Sequence, residues 1–135
     1  MRSDHTSYLR PGPLFTRVLN PLMIRTGAVT TLAVRGRTSG AWRTTPVQVL
    51  KLRGVRYLVS PRGESQWVRN LRAAGGGRLQ RRSHAVDFVA LELAPSERPP
   101  VIRAYLRRYG WFPPVWAQFK ALPEPSQHPV FRITP

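Results

Sequence analysis

AVTTLAVRGRTSGAWRTTPVQVLKLRGVRYLVS, residues 28–60, decides the fold. From Ala28 the hydrophobic period is two. Thr30, Leu32 and Val34 alternate with Val29, Thr31 and Ala33 in a β-branched run that predicts a strand. GRTSG at 36–40 is the turn. A second strand is expected from Trp42 to Leu52, interrupted by Pro46, whose missing N–H confines that part to an edge or a bulge. Arg53 and Gly54 turn the chain into a third strand, Val55 to Ser60.

Working outward toward the C-terminus, Pro61, Arg62, Gly63 and Glu64 read as a loop. A helix follows over 65–74, with Trp67, Val68 and Leu71 on one face, Ser65 as N-cap and the triple glycine at 75–77 as C-cap. Strands are expected around Arg78–Arg82 and Ala85–Leu93, with Ser83 and His84 as their hairpin turn. A helix begins near Ser96–Pro100, presents Val101, Ile102, Tyr105, Leu106 and Tyr109, and ends at Gly110. An aromatic, proline-broken stretch with Trp111, Phe112, Trp116 and Phe119 comes next, and residues 129–134 close the chain as a short strand.

Toward the N-terminus, residues 1–12 read as a flexible arm and residues 13–135 as a single domain. Leu14, Phe15, Val18, Leu19, Leu22 and Met23 recur at helical spacing over 14–25. Two readings stay open there: a helix capping the core, or a basic amphipathic segment touching a membrane or a second subunit. The sum is an α+β chain, mainly antiparallel β, with about six strands in a small barrel and two to four helices packed on it.

The composition narrows the chemistry. With no cysteine among 135 residues, disulfides, thiol nucleophiles and thiolate metal sites are excluded. His5, His84 and His128 lack the close pairing of a metal motif, so no metal is expected. Ser39 lies in G-x-x-S-G rather than the G-x-S-x-G of a nucleophile elbow. The six carboxylates are scattered, which leaves no acid–base pair. No apolar window is long enough to span a bilayer, and the N-terminus has no apolar signal core, so the expected address is the cytoplasm.

Charge points to an anionic partner. Twenty-two Lys and Arg against six Asp and Glu give a formal net charge of +16. Residues 35–82 hold twelve of those cations and a single acid, Glu64. Within them Arg37, Thr38, Ser39, Gly40 and Arg43 gather two guanidinium forks, two hydroxyls and turn amides into a candidate anion cradle. The second loop sets Arg62 and Gly63 just before a helix N-terminus, where amide dipoles also favour negative charge. If the barrel brings the two loops together, they form one pocket.

LAVRGRTSGAWRTTP at 32–46, followed by LVSPRGESQWVRNLRA at 58–73, resembles the deazaflavin-dependent nitroreductase family of coenzyme F420 oxidoreductases. The G-R-x-S-G-x-x-R-x-x-P pattern carries the resemblance, which extends less sharply from about Pro13 to HPVFRI at 128–133. It implies a flavin-binding-type split β-barrel holding 8-hydroxy-5-deazaflavin, whose tail carries a phosphodiester and a string of glutamates. It further implies that Arg37, Ser39, Gly40 and Arg43 meet the phosphate and tail oxygens and that Pro46 and Val47 border the ring. On the other side it sets Ser60, Arg62 and Gly63, with Trp67 and Asn70 matching the W-x-x-N of the following helix. Thr38 stands where relatives often carry Lys.

In such an enzyme the cofactor passes a hydride to an electron-poor acceptor (a quinone, a nitro compound or an activated alkene) and the protein supplies placement. Tyr105, Tyr109, Trp111 and Trp116 are the candidate acceptor wall, and the tyrosines the candidate hydrogen-bond or proton donors; core packing is the competing reading of these aromatics. A homodimer is the expectation the resemblance carries. One alternative is a split barrel that binds FMN, haem or lipid without turnover. Another is a basic nucleic-acid module, motivated by charge alone; no reader motif is present, so no nucleic acid is expected.

Overall fold

In a computed structural model, residues 30–135 are described. The arm expected at 1–12 and the apolar helical segment expected at 14–25 lie outside them. The described residues form seven strands: β1 (Thr30–Arg35), β2 (Trp42–Val47), β3 (Val49–Leu52), β4 (Val55–Val59), β5 (Gly76–Arg81), β6 (His84–Glu92) and β7 (Val130–Thr134). Three α-helices join them: α1 (Gln66–Ala74), α2 (Pro99–Tyr109) and α3 (Pro113–Ala121).

All strand pairs are antiparallel, in the order β2-β1-β5-β6-β7-β4-β3. The two outermost strands of that order, β2 and β3, are joined through the single residue Gln48. One residue spans only about 3.5 Å of chain, so the sheet has to curl until its opposite edges meet. That closure makes the sheet a split barrel. It also corrects the single strand expected from Trp42 to Leu52: the chain leaves one edge after Val47 and enters the other at Val49. Pro46 sits on edge strand β2, opposite Thr31, where its missing donor costs little.

Two cores result. Leu32, Val34, Leu58, Phe88, Phe131 and Ile133 of the sheet enclose Val68 and Leu71 of α1. On the opposite face, Leu50, Val59 and Val130 meet Val101, Ile102 and Tyr105 of α2 and Val115 and Phe119 of α3. Neighbours in β4 therefore enter different cores, Leu58 one and Val59 the other, which is why YLV reads as an unbroken apolar run rather than an alternating one.

Local chemistry sets the turns, with three departures from expectation. Arg53 and Gly54 form the two-residue β3–β4 turn with φ of 53° and 80°, both left-handed. The β5–β6 turn is Arg82–Ser83, not Ser83–His84: Arg82 takes φ 56° and His84 already pairs with Arg81. Of the triple glycine only Gly75 caps α1, with φ 74° and its N–H donating to Leu71 O; Gly76 and Gly77 begin β5. The proline-broken stretch after Gly110 contains a helix, because Pro113 and Pro114 occupy its first turn, where no intrahelical N–H is needed.

Candidate functional site

Two loops converge beside the first turn of α1. The β1–β2 turn is closed by Gly36 N donating to Ala41 O (2.7 Å) and Gly40 N to Gly36 O (2.9 Å), with Gly40 at φ 76°. Ser39 Oγ accepts from Ala41 N at 3.2 Å, so its hydroxyl helps close the turn that presents it. The β4–α1 loop is braced by Ser60, which is buried and donates its Oγ proton to Gly63 O at 2.5 Å. Gly63 takes φ 83° and its carbonyl also receives Ser65 N at 2.8 Å. A buried His128 stacks on Phe119 with ring centroids 4.0 Å apart, and its ring nitrogens face Ser60 O (2.9 Å) and Leu122 O.

Asn70 of α1 ties the loops together: its Oδ1 accepts from Arg37 N at 3.1 Å and from Arg37 Nη1 at 2.8 Å. Between the loops lies a groove of about 620 Å³. Arg37, Thr38, Ser39 and Arg43 line it from the first loop and Arg62 from the second, with Trp67 and Asn70 from α1. Gly40 and Gly63 shape the loops rather than line the groove. Thr44, Thr45, Ser65 and Gln66 also line it; no motif in the sequence marks Thr44, Thr45 or Gln66, and Ser65 carries the signal of a helix cap.

Three properties of this groove favour a polyanion. Among the described residues its wall carries three arginines and no carboxylate. The N-terminal end of α1 borders it through Ser65, Gln66 and Trp67, and a helix N-terminus favours negative charge. Ser65, 2% exposed, makes no side-chain cap bond, and its Oγ is a buried polar atom without a hydrogen-bond partner. Such an atom is costly unless something supplies the missing bond.

The one acid of residues 35–82 is turned away from this work. Glu64 receives Arg72 Nη1 and Nη2 at 3.0 and 3.1 Å, while Arg72 also reaches Glu92 at 2.6 Å. Hydrogen bonds to Glu92 and then Glu64 hold the Arg72 guanidinium well above its ordinary value. The buried Arg98 adds a 3.2 Å contact to Glu92 and reaches Leu93 O and Ser126 O; desolvation lowers its own pKa.

A second, smaller cavity of about 120 Å³ adjoins the first, since Arg62 and Trp67 line both. Pro46, Val47, Ser60 and Tyr105 line it, as do Phe112, Pro114, Val115 and Gln118 around α3. Burial pushes the Tyr105 phenol upward, Tyr109 adding to the effect and Arg62 opposing it. The other residues expected in an acceptor wall sit elsewhere. Tyr109 donates its hydroxyl proton to Val49 O at 2.8 Å and lines neither cavity. Trp111 and Trp116 are exposed and line neither. Helical phase explains the exchange: α3 turns Val115 and Phe119 inward and Trp116 outward, and without a recognised helix that phase was unreadable.

The model of the F420H2-dependent quinone reductase family matches residues 16–110. The chain belongs to that family. It is accordingly an oxidoreductase that uses coenzyme F420. Among solved structures, an F420-H2 dependent reductase (FDR-A) is similar with a TM-score of 0.58 at 20% identity, over 78% of this chain and 93% of that one. A domain-swapped dimer is similar at 0.59 and 17% identity, over 89% and 97%. HutZ, a heme storage protein from Vibrio cholerae, is similar at 0.59 and 12% identity, over 87% and 89%. At such identities these structures share the fold. No curated protein sequence matches the chain. The groove suits the coenzyme: a phosphodiester and glutamate tail is matched by three arginines, a helix N-terminus and the unpartnered Ser65 Oγ.

Proposed function

We propose that this protein is a coenzyme F420-dependent reductase of quinones. Arg37, Arg43 and Arg62 would hold the anionic tail, with Thr38, Ser39 and Ser65 offering hydroxyls beside them. Gly40 and Gly63 would let the two loops bend around that tail, and Ser60 and Asn70 would hold those loops in place. Pro46, Val47 and Trp67 would border the ring, where the two cavities adjoin. When bound, reduced F420 supplies a hydride. Phe112, Pro114 and Val115 would offer an apolar wall to a planar acceptor and exclude water from it. Tyr105 would keep its proton on Oη across neutral pH and present it to an acceptor oxygen.

One observation carries this reading: a groove whose described lining has three arginines and no carboxylate runs into an apolar slot through residues common to both. A ligand with a charged tail and a flat redox ring, set against an apolar acceptor, is the chemistry that joint favours. Quinones are preferred over nitro compounds because the family's own description names them. The reading also carries a homodimer, supported by the domain-swapped dimer among the similar structures, and a cytoplasmic address.

The test is a fluorescence titration of the full chain with F420 at low ionic strength, followed by reduction of a short-chain quinone by F420H2. Binding with turnover supports the reading. Binding of FMN or haem with indifference to F420 would replace it by the non-catalytic alternative, and oligonucleotide binding without any cofactor response by the nucleic-acid one.

A further inference from the structure

We propose that the α2–α3 corner docks on an anionic lipid surface, with Trp111 and Trp116 as its interfacial anchors. Trp111 is 74% exposed and Trp116 58%, the two most exposed tryptophans among the described residues. Trp111 is held in place rather than loose: its Nε1 donates to Arg108 O at 3.0 Å and its ring meets Phe112 edge-on at 5.9 Å. The outward face of α3 consists of Pro113, Trp116, Ala117 and Lys120, all exposed, while Val115 and Phe119 take the core side. Water gains almost nothing from such a face, whose single polar group is a lysine able to extend past an apolar surface.

Charge selects the occupant. Residues 99–122 contain Arg103, Arg107, Arg108 and Lys120 and not one carboxylate, and all four cations are exposed. Tryptophan prefers the headgroup level, where an indole is half in hydrocarbon and half wet, and cations beside it draw anionic headgroups. No described helix is long and apolar enough to cross a membrane, so the contact is one of lying on the surface.

The corner is joined to the smaller cavity. Phe112, Pro114 and Val115, on the same short stretch as the two tryptophans, line that cavity. Resting on the quinone reading, docking here would bring the acceptor slot against a lipid phase, which fits an acceptor dissolved in the bilayer.

The experiment measures partition of the full chain onto vesicles of mixed phosphatidylglycerol and phosphatidylcholine against vesicles of phosphatidylcholine alone, with no cofactor present. The expected result is binding to the anionic vesicles. It should fall at least about tenfold in Trp111→Ala/Trp116→Ala, and about fivefold for each cation removed in Arg107→Gln and Lys120→Gln. Because the chain has no cysteine, Ala117→Cys carrying a polarity-sensitive dye reports the site with both tryptophans in place and should shift to the blue on binding. Thermal melts check that the variants fold. No binding to anionic vesicles overturns the proposal. So does binding that the tryptophan pair leaves unchanged, which would move the contact elsewhere, residues 14–25 included. It is equally overturned if the pair abolishes self-association or oligonucleotide binding instead. An F420 titration of the same parent protein keeps the two readings apart: failure there sinks the cofactor reading and leaves the vesicle result standing.

Discussion

Asn70 Oδ1 lies 2.8 Å from Arg37 Nη1 and 3.1 Å from Arg37 N, so one buried amide on α1 holds both the backbone and the guanidinium of the β1–β2 turn. Sequence places these residues 33 apart. The pairing makes the two loops walls of one groove and aims a cation that would otherwise sample many rotamers. A long side chain fixed before its ligand arrives binds with less entropy left to lose.

Replacing that amide separates aim from charge. Asn70→Ala should lower stability by about 1–3 kcal/mol, the usual cost of orphaning part-buried donors, and should weaken F420 binding with it. Asn70→Asp keeps an acceptor for Arg37 but sets an anion beside the groove. Its melting temperature should stay nearer the parent's while its F420 affinity falls at least as far. Calorimetric melts beside fluorescence titrations check both; equal affinity in the Asn70→Asp variant and the parent would remove the groove from the cofactor's path.

Arg43 tests the electrostatics directly. Arg43→Ala should weaken F420 binding roughly tenfold to a hundredfold, the span of a lost charge-assisted hydrogen bond. The dependence of affinity on ionic strength should also flatten, because one fewer cation is there to be screened. Arg43→Lys should restore that salt dependence and only part of the affinity, since an ammonium cannot grip two oxygens in one plane. Titrations across a salt series provide the measurement, and a salt slope identical in all three proteins contradicts the assignment.

How much of this was legible in the residues follows from where the information resides. The β1–β2 turn, the Arg53–Gly54 hairpin and the Gly75 cap carry their own backbone chemistry, and β1, which leads into the first of them, buries alternate residues. The motif residues of both loops do come together: Arg37, Thr38, Ser39, Arg43, Arg62, Trp67 and Asn70 line one groove. The break at Gln48 was not legible, because closing a barrel is a decision of the whole sheet and leaves no local mark on one glutamine. That Trp111 and Trp116 line neither cavity was not legible for a different reason. Pro113 and Pro114 look like breakers until they are recognised as a helix's first turn, and only the helix tells Val115 from Trp116.

Tyr105 makes a pH-dependent prediction. Burial favours its neutral phenol, so its pKa in the folded chain stands above the ordinary value of 10.0 that the unfolded chain would show. Above that value the unfolded state has given up a proton that the folded state retains. The stabilisation is therefore complete below about pH 10 and is lost as pH climbs toward the folded value. Ultraviolet titration should show one tyrosinate ionising late, together with alkaline unfolding, and that step should be missing from Tyr105→Phe. The same variant should lose at least about tenfold in kcat for a quinone with F420 affinity unchanged, if its hydroxyl serves as donor.

Gly77 links the stability of the barrel to the geometry of the groove. A Cβ there would stand 2.7 Å from Ala33 O, 3.2 Å from Phe88 Cζ and 3.3 Å from Val34 Cγ2. The first of these is backbone, so relief has to come from β1 itself, the strand that carries Val34 to the groove wall and leads into the Gly36–Gly40 turn. Gly77→Ala should cost about 1–3 kcal/mol, the range for overpacking a filled interior, and should also weaken F420 binding by displacing that turn. Gly75→Ala is the control. Its φ of 74° makes the substitution cost about 1 kcal/mol, but nothing lies within 4 Å of the added carbon, so affinity should not change. Urea midpoints at constant slope measure the first quantity and cofactor titration the second. If Gly77→Ala loses stability and keeps full affinity, the strand yields without moving its turn, and the coupling between β1 and the groove is refuted.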